Sequence, residues 1–444
     1  MISALKRRLA EHSERSAVAS GARSVSYAEL LASVERELRI LTREGISAGA
    51  VVVLRADYSP RSIGLFLALA DLGAVVVPIS PAAAVQAADL INLAQAEWVL
   101  SVDQEEEVLL MRRETTERHR HYETLRERNS PGLVLFCSGS TGAPKGIVHD
   151  LGLLLDKFET RRAAQRTLSF LLFDHIGGFN TLFHTLSNGG LVVVPADHSI
   201  GAIAAAVTQH RVELLPTSPT FLNLLLVSGA LERHDFSSLR LITYGTEPMP
   251  ESTLTRLAAL LPTAKLQQTY GLSELGILRS SSPDRGSLWV RLGGEGYETK
   301  VQGGTLRIRA RSAMLGYLNA PDPFDAEGWF DTGDLVEQEG ELFRIRGRQS
   351  ELINVGGQKV HPAEVESVIA ELPGIAEVVV RGEPSALLGQ AVMARVRLLS
   401  PETASELRGR LRKFCLGRLP SYKVPVRIEI STEPLHSARF KRQR

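Results

Sequence analysis

The sequence predicts an α/β protein: a large N-terminal part in which helices cover a mostly parallel sheet, a small β-rich subdomain within it, and a separate small α+β domain at the C-terminus. Three observations carry that prediction. The chain has 444 residues, and a single core stops growing near ~250–300. Its first half alternates helical periodicity with short β-branched runs, the pattern of a parallel sheet covered by helices. After Gly347-Arg348 a new mixed pattern begins, about a hundred residues long and of domain size. The expected division is 1–349 and 350–444.

Local signals place the elements. Ser26 and Glu29 are spaced as a capping box ahead of an amphipathic helix over 27–44. Residues 50–54 read as a buried strand, 62–72 as a helix stopping at Gly73, and 74–77 as a strand ending at Pro78. The stretch 104–129 is dense in both charge signs and reads as a solvated helix laced with ion pairs. The strand–helix pattern returns with strands at 133–137 and 168–173, a helix around 179–186 and a strand at 191–194. Around 286–309, short strands with Gly293-Gly294 and Gly303-Gly304 turns mark the β-rich subdomain. The C-terminal unit reads as a strand, a helix at 362–371, strands at 375–381 and 391–398, and a helix at 401–413.

Composition removes several classes. Fifty-one basic residues against 50 acidic ones leave a net charge of +1, so the chain as a whole makes no electrostatic case for nucleic acid. Two cysteines, Cys137 and Cys415, make neither a disulfide framework nor a structural zinc site, and they fit a reducing cytoplasm. The N-terminus leads into charge, not into an apolar leader core. The longest apolar run, 65–77, contains Asp71 and Gly73 and is too short for a membrane span.

The chemistry starts at Ser138-Gly139-Ser140-Thr141-Gly142-Ala143-Pro144-Lys145-Gly146, which follows an apolar strand. Glycines let backbone N–H groups approach a phosphate chain, the hydroxyls of Ser138, Ser140 and Thr141 donate to it, and Lys145 adds a point charge. It is not a Walker A loop, because no Gly-Lys-Ser/Thr occurs and Pro144 precedes the lysine. Taken alone, the same residues also describe an ordinary turn.

Four further segments follow it: Thr269-Tyr270-Gly271-Leu272-Ser273-Glu274, Gly328–Asp334, Phe343–Arg348 and Gly356–Glu366. In that order the set resembles the adenylate-forming superfamily of acyl- and aryl-CoA ligases, luciferases and peptide-synthetase adenylation domains. The Asp174-His175-Ile176-Gly177-Gly178 segment places it nearest the acyl-CoA ligase branch. The resemblance implies a large N-terminal domain of layered α/β subdomains and a small mobile C-terminal α+β domain. It implies that ATP activates a carboxylic acid as its adenylate, with a thiol of CoA or of a carrier protein's phosphopantetheine as acceptor.

It also implies roles for residues. Ser138, Gly139, Ser140, Thr141, Gly142 and Lys145 grip the triphosphate. Glu274 holds Mg²⁺, and Ser273 supplies a hydroxyl to the α-phosphate or the metal. Tyr270 and Gly271 belong to the nucleotide site, with Gly245, Thr246 and Glu247 on its adenine side. Asp334 accepts from the ribose and Arg348 reaches the same sugar. His175 gates the acid pocket, to which Asp174, Gly177, Phe179, Tyr244 and Leu275 are also assigned. Gly356, Gly357 and Lys359 line the thiol tunnel, and Ser350 stands at the hinge.

Two positions depart from the family. The hinge residue is Ser350, where Asp or Lys is usual. At the C-terminus Lys441 keeps the spacing of the catalytic lysine, but Phe440 replaces the glycine before it, and an ungapped count leaves Arg439 as the nearest cation instead. Asp174 leaves an amino-acid substrate loaded onto a carrier protein as a rival reading. The departures at Ser273, Ser350 and Phe440 leave a non-catalytic nucleotide-binding relative as another.

Overall fold

The computed structural model describes residues 2–115, 118–138, 143–437 and 440–443. Two seven-stranded sheets form the body of the large domain. One runs Lys265–Gln268, Leu241–Tyr244, Leu214–Thr217, Arg166–Leu168, Leu191–Val194, Ser16–Ser20 and Arg23–Ser26; all its pairs are parallel except the last hairpin. The other runs Gly316–Tyr317, Pro144–Asp150, Gly132–Ser138, Val75–Ile79, Val51–Arg55, Trp98–Val102 and Val108–Arg112. Its central strands are almost wholly apolar and β-branched because helices cover both faces. Helix Tyr27–Arg43 opens with the expected capping box, and helix Pro60–Asp71 opens with a second one on Ser59 and Ser62.

Three local expectations are corrected. The strand after Gly73 runs through Pro78 to Ile79, with Pro78 opposite Leu54. The charged stretch is not one solvated helix: Val108–Arg112 is an edge strand, and the helix Arg120–Glu127 buries His121, Tyr122 and Leu125. The strand itself is mostly apolar, and Leu109 and Met111 stand exposed at this edge of the sheet. The strand expected over 168–173 ends at Leu168, and the next residues leave the sheet to carry Asp174 and His175 to the head of helix Ile176–Ser187.

A six-stranded antiparallel sheet forms the β-rich subdomain: Arg279–Ser281, Trp289–Gly293, Leu342–Arg348, Phe330–Glu339, Thr305–Ala310 and Tyr297–Gln302. Gly303 and Gly304 turn one hairpin with φ of +63° and +81°. The small domain packs helices Pro362–Ile369 and Ala404–Cys415 on a sheet built from Gln358–Val360, Ile353–Val355, Gly389–Leu398, Ile375–Ser385 and Arg427–Ile430, with its own apolar core. It touches the large domain where the Asn223 amide donates to the Ala376 carbonyl at 3.3 Å. Among the described residues no helix is long and apolar enough to cross a membrane.

Candidate active site

The cleft is built outward from the hairpin of Gly132–Ser138 and Pro144–Asp150, which pairs Cys137 with Lys145 across the loop. Gly139, Ser140, Thr141, Gly142 and the side chain of Ser138 lie outside the described residues. The Lys145 ammonium sits 4.9 Å from the centroid of the Tyr317 ring. The Tyr317 hydroxyl donates to Glu274 Oε1 at 2.8 Å. Burial, and then the neighbouring Glu274 charge, push the Tyr317 phenol well up, so it stays a donor. Glu274 is only 9 % exposed and lies between the short strands Gly271–Leu272 and Gly276–Ile277, not at a helix end. His149, wholly buried, donates from Nε2 to the Ser273 carbonyl at 2.6 Å; burial lowers its pKa to about 4 and keeps the ring neutral. Cation, ring and carboxylate are thus braced against one another before any phosphate arrives.

The second group lies across the cleft. Asp334 and Arg348 are register partners on Phe330–Glu339 and Leu342–Arg348, and Arg348 Nε lies 3.2 Å from Asp334 Oδ1. The other carboxylate oxygen accepts the Tyr270 hydroxyl at 2.6 Å. Burial raises the Asp334 pKa, while Arg348 and Tyr270 oppose the rise. The pair therefore presents a fixed, buried acceptor beside a cation, suited to vicinal hydroxyls.

The C-terminal segment closes the cleft. Lys441 keeps surface open to solvent, yet it lies within electrostatic reach of Arg348, Glu247, Glu351 and Asp334. Surrounding protein, then Arg348, lower its pKa while the three carboxylates oppose them. Phe440 adopts φ of +48°, the left-handed region that glycine favours. Arg439, the alternative cation, is outside the described residues.

On the remaining wall, His175 caps helix Ile176–Ser187, its Nδ1 accepting from the Gly177 N–H at 3.0 Å. Asp174 Oδ2 accepts from the Ser80 N–H at 3.1 Å and the Ser80 hydroxyl at 2.8 Å. Phe179 packs into the core on Phe183 and Phe66. Leu275 and Tyr244 are also buried in packed cores. At the end of the strands carrying Thr217 and Tyr244, register partners, the hydroxyls of Thr217, Thr220 and Tyr244 are buried without a partner among the described residues, polar atoms of the kind a ligand satisfies. Gly245 admits no side chain, because a Cβ there would lie 2.8 Å from the Thr269 carbonyl oxygen. Thr246 follows with φ of +73°, and Glu247 Oε1 accepts from the Thr220 N–H at 2.8 Å. Gly356 and Gly357 make the exposed turn before Gln358–Val360, which carries Lys359, and Ser350 is exposed in the turn Gln349–Glu351. The sequence reading missed Tyr317 and His149; the Gly316-Tyr317 pair directly after the β-rich subdomain's first hairpins was the available signal for the first.

Two domains that meet over one cleft and share its charges between them are the architecture of adenylate-forming enzymes. The chain belongs to the AMP-binding enzyme family: that family's model matches residues 5–318, and the AMP-binding enzyme C-terminal domain matches residues 364–439. It is similar to the indoleacetate–CoA ligase of Aromatoleum aromaticum, 28% identical, with 91% of this chain and 89% of that protein covered. It is also similar to the fatty acid–[acyl-carrier-protein] ligase ScoC of Streptomyces coeruleorubidus, 29% identical, covering 68% of this chain and 64% of the other. Among solved structures, the anthranilate CoA ligase AuaEII in complex with anthranoyl-AMP matches 99% of this chain and 95% of its own, with a TM-score of 0.83 at 20% identity.

Proposed function

We propose that this enzyme uses ATP to convert a carboxylic acid without an α-amine, a fatty or aryl acid, into its acyl-adenylate, and then passes the acyl group to the thiol of CoA or of a carrier protein. The observation that supports the reading is that Arg348 lies within electrostatic reach of both Tyr317 and Lys441, so that the Glu274–Tyr317–Lys145 group, the Asp334–Arg348 pair and the tail lysine adjoin. Joining a carboxylate to a triphosphate brings anions together, and fixed cations and donors offset their repulsion. Asp334 and Arg348 orient the ribose, and Lys145 steadies the phosphates. Lys441 is assigned to bridge the acid's carboxylate and the α-phosphate. A carboxylate oxygen attacks the α-phosphorus, the bond to the bridging oxygen breaks, and pyrophosphate leaves. In the second step the thiol sulfur attacks the acyl carbon, AMP leaves, and the thiol proton passes to solvent.

Glu274 fits a magnesium ion, since a magnesium–nucleotide complex brings most of its own oxygen ligands and needs one or two carboxylates; when bound, that ion neutralises phosphate charge. The assigned domains are 1–349 and 350–444, pivoting at Ser350, with Gly356, Gly357 and Lys359 lining the thiol's path. The acid itself is assigned to the wall that carries His175 and Gly177, with Gly245, Thr246 and Glu247 kept on the adenine side. Asp174 already accepts two bonds from Ser80, which supports a structural task over pairing with a substrate amine. Cys137 and Cys415, which form no disulfide among the described residues, fit work in the cytoplasm. ATP–pyrophosphate exchange against a panel of aryl, fatty and amino acids tests the reading. Exchange with acids lacking an α-amine is expected; exchange confined to amino acids would overturn it.

A further inference from the structure

Phe440 stands where the resemblance places a glycine, immediately before Lys441. Its φ of +48° is one that a residue with a Cβ adopts at a cost. Something must offset that cost, and the ring supplies it. The side chain is 9 % exposed. It packs on two large-domain rings, Phe170 at 5.4 Å and Phe221 at 5.2 Å between centroids, and stacks on His436 at 4.9 Å and 12°. The Ser218 hydroxyl, which caps the large-domain helix Pro219–Val227, donates to the Phe440 carbonyl at 2.7 Å.

The flanking residues are tied the other way. His436 pairs with Glu377, which also pairs with Arg397. Arg442 pairs with Glu366, a wholly buried carboxylate whose other oxygen accepts the Val380 N–H at 2.9 Å. These partners all belong to the small domain. One tail segment is therefore stapled to the small domain on both sides of a ring that is inserted into the large one. A backbone N–H bond from Arg442 to Glu247 at 3.4 Å adds a second, weaker crossing.

We propose that Phe440 is a positioning residue: its ring docks in the large domain, seats Lys441 in the nucleotide cleft, and holds the small domain in the adenylate-forming arrangement until it withdraws for the second half-reaction. This rests on the adenylating reading of the cleft. Burial of a phenylalanine ring shifts such an equilibrium roughly ten- to a hundredfold. Glycine at this position would relieve the backbone and lose the anchor.

The test uses the full chain with Phe440→Ala, Phe440→Tyr and, from the other side of the contact, Phe221→Ala. Three readouts are needed: ATP–pyrophosphate exchange, thioester formation from a supplied acyl-adenylate, and the distance between spin labels at the exposed positions Leu387 and Ala205. Phe440→Ala and Phe221→Ala should lower the exchange kcat about tenfold or more with little change in KM for ATP. They should leave thioester formation equal or faster and broaden the label distances, while Phe440→Tyr keeps the wild-type pattern. Unchanged exchange and distances in Phe440→Ala would overturn the proposal. So would an equal fall in both half-reactions with the distance distribution intact. If the wild type exchanges with no acid, the adenylating reading fails, and the label distances alone decide whether the ring holds the domain.

Discussion

The two walls of the cleft are held in different ways. On the large-domain wall, strand register and side-chain bonds fix each charge. Asp334 faces Arg348 across a hairpin, Tyr270 closes the same carboxylate, and Tyr317 ties Glu274 to the strand that carries Lys145. On the tail wall, Lys441 depends on one inserted ring, one serine bond and a weaker bond from the Arg442 N–H to Glu247. A preorganised wall stabilises developing charge without reorganising at the moment of reaction. A docked wall can leave, which a two-step reaction needs if its second nucleophile is to enter.

Substitutions on the fixed wall should differ according to the contact each removes. Glu274→Ala removes the buried carboxylate that Tyr317 holds and should lower exchange kcat by about 10²–10³-fold; a change under a few-fold would show that the phosphates lie elsewhere. Arg348→Ala strips a cation from both Asp334 and the cleft and should raise KM for ATP roughly tenfold, read from initial-rate kinetics. Tyr317→Phe keeps the ring under Lys145 but deletes the bond to Glu274. A loss of several-fold up to about tenfold in kcat is expected, the net size of one typical hydrogen bond. The smallest effect is on stability. As pH falls below about 6.5 the unfolded chain protonates at His149, whereas the folded protein resists until about 4. Stability is therefore lost across that window. The fall in Tm between pH 7 and 4.5 should be smaller in His149→Gln than in the wild type.

What was legible in the sequence follows the same division. The fixed wall could be read because each of its parts is a short run with its own chemistry: the Gly/Ser loop, Tyr270–Glu274, Thr332-Gly333-Asp334 and Arg346-Gly347-Arg348. Strand pairing then brought the last two together with no information beyond alternation and a turn. Tyr317 had only the weak signal of a Gly-Tyr pair and His149 none, because a lone histidine carries no pattern; only tertiary packing puts them on Glu274 and Ser273. The strand expected over 168–173 failed for a related reason. An apolar run reads as a strand, yet here part of it leaves the sheet to present Asp174 and His175. Phe440 looked like a defect in a motif. Its left-handed backbone and its aromatic partners, from residues 170 and 221, are not local properties, so the sequence could show the departure but not its use.

The central claim is that the small domain completes the adenylating site with Lys441. Lys441→Ala, assayed separately for ATP–pyrophosphate exchange and for thioester formation from a supplied acyl-adenylate, tests it most directly. The account predicts a fall of about a hundredfold or more in exchange with thioester formation held within a few-fold of wild type. Equal loss in the two half-reactions, or exchange left intact, would contradict it.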